Sequence, residues 1–595
     1  MPDRVPQPPS FEDALLMVED RIRRKLGGFE RLDRQALRKY AARQPAAGWR
    51  LMVPTPEGER RLDVVVPRQF PFALPRVAFV GPSMFLKWAH FERDGILCLD
   101  GEGFDVERPG AVVADRIASA CRLIGECERG ERDGDFADEF LSYWGQASND
   151  EGVPVYSLLP PAGPSRLVRV WRGKRFVLVA DDDEAIAVWL KNRYGTANIK
   201  TQAGALLWLD RPPLPADFPK SGTAVRGLAA EAGLTDELLC QLVMQDANGA
   251  TLLVGVDTPV GPALASAWVP HPTERGRSTL GDGFRNKLVP AQIALGRYFG
   301  GIPIKRASVD RADAAWIHGR GANPKFDRFR RAKVAIVGCG SVGAAVAILL
   351  AQSGIGHFVF IDPERLAWAN IGRHPLGAPY VGSHKCVGLA QKIRTDFPHV
   401  ASVDAIARDI ESVIMEEPAA LADCDVVVSA TGSWATEAFL DMWHVGSKFQ
   451  GPVIYGWTEA HAAAGHAVTI AKNGQRFRAG FDACGKPHLR VTEWSGPTTL
   501  REPACGAVFQ PYGAVELSFT IAKIAEVVLR ALDREIRASS HGLWIGRSGP
   551  LRAAGGDWSS PWRSMTGFRD EGGYVIELPW PSAAALAVVV AEAAE

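Results

Sequence analysis

The stretch "KVAIVGCGSVGAAVAILLAQSGIGHFVFID", residues 333–362, limits the possible folds more than any other part of this chain. "KVAIVG" carries an unbroken apolar run, the pattern of a parallel strand buried on both faces. "GCGSVG" then places Gly338, Gly340 and Gly343 in GxGxxG spacing, with Ser341 at the start of a helix that ends at Gly354 or Gly356. The glycines permit a tight turn and let the backbone approach phosphates, whose charge suits a helix N-terminus. "HFVFID" reads as a second buried strand closing at Asp362, which is placed to accept hydrogen bonds from ribose hydroxyls. The order strand, helix, strand, acid predicts nucleotide binding; the glycines alone would make only a tight turn. "CDVVVSATG" and "PVIYGW" read as further buried strands, which predicts a doubly wound α/β domain. "HAVTIAKNGQRFRAGF" looks like a hairpin turning at Asn473–Gly474.

A dehydrogenase needs little beyond this fingerprint. Here Asn370, Arg373 and Lys385 follow in "IDPERLAWANIGRHPLGAPYVGSHK". Cations so close to a phosphate loop suit phosphoryl chemistry, in which a carboxylate attacks an α-phosphate and pyrophosphate leaves. Any one of them taken singly reads rather as solvated basic surface.

Together these residues resemble the adenylating enzymes of the ubiquitin-activating, ThiF and MoeB superfamily. The matching positions are the Gly338–Gly343 loop, Asp362 and Glu364, Asn370 and Arg373, and Gly382 and Lys385. The resemblance implies a Rossmann-like ThiF-type domain. It implies ATP with Mg2+ as cofactors and adenylation of a C-terminal glycine carboxylate. One departure concerns the metal. Where the family carries an Asp-bearing "TDN", this chain has Thr431, Gly432 and Ser433, and Glu437 is a candidate replacement. The CxxC zinc site common in sulfur-transfer members is missing, and no metal ligands are assigned.

The chain has 595 residues, which predicts three or four domains. Lys+Arg and Asp+Glu both total 68, so charge gives no argument for nucleic acid or an anionic membrane. No apolar run reaches the roughly 20 residues of a membrane helix. "MPDRVPQPPSFED" has no signal-peptide pattern, so a cytoplasmic location is expected. Nine scattered cysteines without a CxxC pair argue against a disulfide framework.

Residues 10–27 read as an amphipathic helix with Ser10 as N-cap and Gly27 as its end. "GWRLMVPTP", "RRLDVVVP" and "RVAFV" read as strands, with Pro71 and Pro75 excluding a central strand between the last two. A helix follows at about 112–126, and 145–165 reads as a boundary. "RLVRVWRGKRFVLVADDD" is a predicted hairpin. These residues give an α/β and α+β multidomain chain, with domains 1–150, 151–320 and 321–595.

"HFERDGILCLD" sets Cys98 between leucines in a short apolar strand, eight residues after His90. Alone, such a thiol reads as core filler. The first 145 residues resemble the ubiquitin-conjugating fold, whose signature is His-Pro-Asn with the cysteine eight residues after the His. Here that triplet is His90, Phe91 and Glu92, and an ionised Glu cannot donate to an oxyanion. The resemblance implies that Cys98 carries an acyl thioester and that His90 holds the loop rather than acting as a base. A first thiol near the adenylate is also implied. Cys505, before the amphipathic run "GAVELSFTIAKIAEVVLRAL", leads, and Cys484 in "DACGKPH" is the alternative. Cys339, inside the phosphate loop, reads as packing.

The whole chain therefore resembles bacterial fusions of conjugating and activating enzymes found in antiphage operons. That resemblance implies a homodimer. Its expected partners are the C-terminal glycine tail of a ubiquitin-like protein or cyclic-nucleotide synthase, and a target lysine. The rivals are a sulfur-carrier adenylyltransferase without conjugation and an ATP-binding scaffold without turnover.

Overall fold

The computed structural model describes residues 8–55, 58–101, 104–148, 153–195, 199–245, 248–320, 322–501, 508–564 and 570–581. Two compact units emerge. One holds residues 1–182 and 201–310; the other holds 183–200 and 311–595.

The first unit begins with α1, Phe11–Leu26, capped by Ser10, whose hydroxyl accepts the Asp13 N–H. Strands β1 (Pro45–Thr55), β2 (Gly58–Pro67) and β3 (Arg76–Phe79) form an antiparallel meander, with the two-residue strand Glu30–Arg31 on its outer edge. The prolines between β2 and β3 exclude ladder pairing there, as expected. Helix α2, Pro109–Glu128, packs with α1 over this sheet: Ala14, Val18, Leu62, Val64, Val113 and Ile124 share one buried cluster. Residues around Cys98 do not form the predicted strand. They make only isolated bridges, Ala78 to Ile96 and Phe91 to Leu97.

Two short helices follow, α3 (Asp135–Asp138) and α4 (Phe140–Ala147). Beyond them lies a closed barrel. Its strands are β4 (Val155–Ser157), β5 (Arg166–Arg172), β6 (Val177–Ala180), β7 (Thr201–Leu209), β8 (Ala250–Thr258), β9 (Gly261–Val269) and β10 (Lys305–Arg311). β5 and β6 form the predicted hairpin. Trp144 of α4 is fully buried, donates its ring N–H to the Ala307 carbonyl at 3.2 Å, and packs at a tilt against the rings of Phe140 and Phe218.

The second unit is built on a sheet of eight strands. Their ranges are β11 (Lys333–Val337), β12 (His357–Ile361), β13 (Ser402–Ile406), β14 (Val426–Ser429), β15 (Val453–Thr458), β16 (Ala464–Ile470), β17 (Ser540–Arg547) and β18 (Gly572–Pro579). The spatial order is β13-β12-β11-β14-β15-β16-β17-β18. The first five strands are parallel and the last three antiparallel. Helix α5 (Ser341–Gln352) follows β11, α6 (Lys385–Asp396) precedes β13, α7 (Trp434–Gly446) follows β14, and α8 (Ala514–Leu532) packs on α5 and on β15–β17.

The hairpin expected at Asn473–Gly474 does not form. β16 already has β15 and β17 on its two edges, so residues after Gly474 find no free ladder. They turn into a 3-10 helix, Phe477–Gly480, whose Phe477 stacks on Tyr455 at 3.8 Å.

Trp144→Ala removes a fully buried indole and its hydrogen bond. The expected loss is about 3–5 kcal/mol, read as an early unfolding step in a denaturant titration of the full chain.

Candidate functional site

The nucleotide-binding residues expected from the sequence gather at the carboxyl ends of β11, β12 and β14. Gly338 leaves β11 with φ +86°, and a Cβ there would lie 2.8 Å from the Ala430 oxygen, so only glycine fits. Gly343 lies in the first turn of α5, where a Cβ would overlap the Gly338 carbonyl oxygen. Around Gly340, the N-cap of α5, the space above the loop is open. Ser341 opens the helix, where the first N–H groups have no intrahelical partner.

Asp362 fastens this loop. One carboxylate oxygen accepts the Cys339 N–H at 2.7 Å and the other accepts the Glu364 N–H at 2.7 Å. Burial raises its carboxyl, and those two amides with the nearby Lys385 charge oppose the rise. Cys339 is fully buried, and desolvation pushes its thiol far up, so it packs, as its position suggested. His374, which pattern reading missed, sits beneath the loop. Its Nδ1 accepts the Leu376 N–H at 3.1 Å, so the proton lies on Nε2, which donates to the Cys339 carbonyl at 2.8 Å. Burial lowers its pKa and keeps it neutral. Its only signal in the chain was adjacency to Arg373.

Asn370 caps its own turn, its side-chain oxygen accepting the Ala367 N–H at 3.0 Å. The Arg373 N–H bonds the Asn370 carbonyl, and its guanidinium lies 5.3 Å from the centre of the Tyr512 ring. Arg373 Nε is buried with no hydrogen-bond partner among the described residues. A donor left open in this way fits an anionic ligand such as a phosphate. Lys385 is buried, pairs with the Glu364 carboxylate, and closes the turn with its own N–H on the Glu364 carbonyl.

The Thr431–Ser433 turn spends its polar groups locally. Thr431 Oγ1 accepts the Ser433 N–H, and Ser433 caps α7. Glu437, the candidate replacement for the missing Asp, is buried with its carboxyl 3.4 Å from the Thr431 hydroxyl, and burial carries its pKa up to about 7. This favours a protonated hydrogen-bonding group over a metal ligand. No cluster of three His, Cys, Asp or Glu side chains suited to a metal occurs among the described residues.

Cys505 lies outside the described residues. Cys484 is exposed on a turn held by the Asp482 carboxylate, which accepts the Cys484 and Lys486 N–H groups at 2.9 Å. Gly485 of that turn lies flush on Trp434 at the head of α7.

In the first unit Cys98 is exposed rather than core. Its N–H donates to the His90 carbonyl at 2.8 Å. His90 Nε2 lies 2.7 Å from Asp135 Oδ2. Glu92, at the usual Asn position, is paired with Arg43. The cation near the thiol is Arg116 of α2, bonded to the Asp100 carbonyl at 2.8 Å and the Leu99 carbonyl at 3.3 Å. Among the described residues no helix is long and apolar enough to cross a membrane.

With this geometry in place, the comparisons agree with both halves. Residues 319–501 match the ThiF family and residues 30–153 match Prokaryotic E2 family B. The chain is thus an enzyme of the ubiquitin-activating and ubiquitin-conjugating type, with both domains fused in one polypeptide. Among its relatives is an ATP-dependent ubiquitin transferase-like protein Cap2 of Pseudomonas aeruginosa, 22% identical over 467 residues, which span 74% of this chain and 80% of that protein. Proteins of the same name from Escherichia coli and Vibrio cholerae are 23% and 25% identical over 41% of this chain. Those two alignments span only 43% and 42% of their own lengths.

Asp362→Ala leaves two backbone amides without their acceptor and should abolish ATP–pyrophosphate exchange while lowering the melting temperature. Arg373→Ala removes an open donor and should cut exchange by roughly 10²–10³-fold with little change in melting temperature. For Glu437, a folded pKa above the unfolded one means its stabilising share is present below the unfolded value and is lost as pH rises through about 7. Glu437→Gln should therefore raise the melting temperature at pH 8 and have little effect at pH 4.

Proposed function

We propose that this chain uses ATP to adenylate the C-terminal glycine of a ubiquitin-like protein or a cyclic-nucleotide synthase. The acyl group then passes through Cys505 to Cys98 and on to a lysine of a target, as part of antiphage defence. The observation that carries the reading is that one polypeptide holds both an open glycine loop, with Arg373 Nε unpaired among the described residues, and an exposed thiol at Cys98. The names of the Cap2 relatives support the same class. In this reading Gly338, Gly340, Ser341 and Gly343 cradle the phosphates, Asp362 and Asn370 hold the nucleoside, and Arg373 and Lys385 offset charge as pyrophosphate leaves. ATP enters as its Mg2+ complex, with ligands from phosphate and water. Glu437 does not fit the metal, so no residue of this chain is assigned to it. Residues 1–150 act as carrier, 151–320 as linker and 321–595 as activating domain, in a cytoplasmic homodimer.

A non-reducing gel with ATP and a purified partner ending in glycine tests the order. Cys98→Ala should leave a reducible adduct on the first thiol and stop conjugation. Cys505→Ala should remove both adducts while ATP–pyrophosphate exchange survives. Loading of Cys98 in Cys505→Ala would refute that order, and loss of the adduct in Cys484→Ala would then move the first thiol to Cys484. The absence of Asp at Thr431–Ser433 favours one other reading, a scaffold without turnover. That reading predicts no pyrophosphate exchange with any partner.

A further inference from the structure

Cys98 stands in a set of groups that holding a loop does not require. His90 adopts a left-handed backbone, φ +63°, and its main chain is clamped on both sides. Its N–H donates to the Tyr143 hydroxyl at 2.9 Å and its carbonyl accepts the Cys98 N–H. Those bonds use only backbone and would be available to other residues at that position. The imidazole does something else. Nε2 lies 2.7 Å from Asp135, Nδ1 lies 3.8 Å from Glu139, and the ring interacts with the Cys98 side chain. Asp135 is itself held by Arg132 at 3.2 Å, which also binds Glu126 at 2.7 Å. The remaining titratable groups nearby are Tyr143, Cys127 beneath Ala89, and Arg116 beside Cys98. A carboxylate that orients an imidazole, on a residue whose main chain binds the Cys98 N–H, is the arrangement of a proton carrier set beside a thiol.

We propose that His90, oriented by Asp135, is the proton-transfer group of Cys98, serving both the loading and the release of its acyl group. This rests on the reading of Cys98 as a carrier. In loading, the proton shared by thiol and imidazole rests on His90, a bond forms between Cys98 sulfur and the glycyl carbonyl carbon, and the donor's carbon–sulfur bond breaks. The departing thiolate takes the proton from His90 and leaves it neutral. In release, the lysine nitrogen attacks the same carbon and its proton goes to His90. The carbon–sulfur electrons return to Cys98, which shares that proton again. No oxidant or reductant enters, and His90 returns to its starting state over the two steps.

The contact with Cys98 does most to raise the His90 pKa. Burial opposes the rise, and Asp135 and Glu139 add to it, to a value of about 9. Acylation removes the sulfur as a partner for charge, so the imidazole becomes a weaker holder of its proton once Cys98 is loaded. It is then free to accept one from the amine. The expectation that His90 only holds the loop accounts for its backbone bonds but not for Asp135 on its ring.

The test uses the full chain without ATP or partner. Iodoacetamide is the probe, and modification of Cys98 is followed by peptide mass spectrometry. At about pH 6.5, below the ordinary thiol range, Cys98 should react at least about tenfold faster in the wild type than in His90→Asn. Asn tolerates the left-handed backbone. At about pH 9.5 the two rates should converge. Asp135→Asn should fall between them at the lower pH, and it carries the test if His90→Asn fails to fold. Equal rates at the lower pH overturn the proposal. So does a deficit of the same size at both values, which would report access to the sulfur rather than proton transfer. Because neither ATP nor partner is present, a chain that passes here yet forms no thioester with them would sink the carrier reading and leave the His90–Cys98 pair standing.

Discussion

The activating half depends on one buried carboxylate. Asp362 directly follows β12, and its two oxygens hold the Cys339 and Glu364 amides, one each. Burying that anion is costly unless its lone pairs are used. The two amides use them, and in doing so they fix the turn after β11 against the turn after β12. His374 supports the same loop from below through the Cys339 carbonyl. The shape of the phosphate loop is thus set by protein groups before any ligand arrives, which is the condition for electrostatic preorganisation. Arg373 Nε is left without a hydrogen-bond partner among the described residues, and in the proposed reading it is a group that a phosphate engages.

The conjugating-type half solves a different problem. In the proposed reading, a thiol that carries an acyl group must be exposed while the surrounding loop is held still. The Gly95 turn and the isolated bridges on either side bring Cys98 to the surface, and Arg116 ties down the carbonyls that follow it. Glu92 cannot stabilise an oxyanion as a neutral amide would, and its pairing with Arg43 removes it from the role. The polar partners of His90, which binds the Cys98 N–H, come instead from the segment holding α3 and α4, through Asp135, Glu139 and Tyr143.

Residue order alone was enough for the Rossmann-like core, because each element there declares itself locally. Apolar runs of strand length, glycines at a strand–helix turn and an acid at a strand end depend on periodicity and backbone geometry within a few residues. The same holds for α1 with its Ser10 cap and for the β5–β6 hairpin. The positions of Asp362, Asn370, Arg373 and Lys385 were legible from their spacing, and all four lie between the end of β12 and the first turn of α6. The hairpin assigned at Asn473–Gly474 failed for the opposite reason. Its local signal was sound, but both edges of β16 were already taken by β15 and by β17, which lies some 70 residues further on.

Packing decided what no window of sequence contains. Whether Cys98 is core or surface depends on which strands claim its neighbours, and the structure exposes it. That Glu437 is buried beside Thr431 follows from how α7 lies on the sheet. His90 and Asp135 stand 45 residues apart in the chain, and only the docking of α3 against the Cys98 loop brings imidazole and carboxylate within 2.7 Å. Spacing along the chain encodes dihedral preference and facing residues within one element. A pair formed across elements is set by tertiary packing, where burial and hydrogen-bond satisfaction select one arrangement among many.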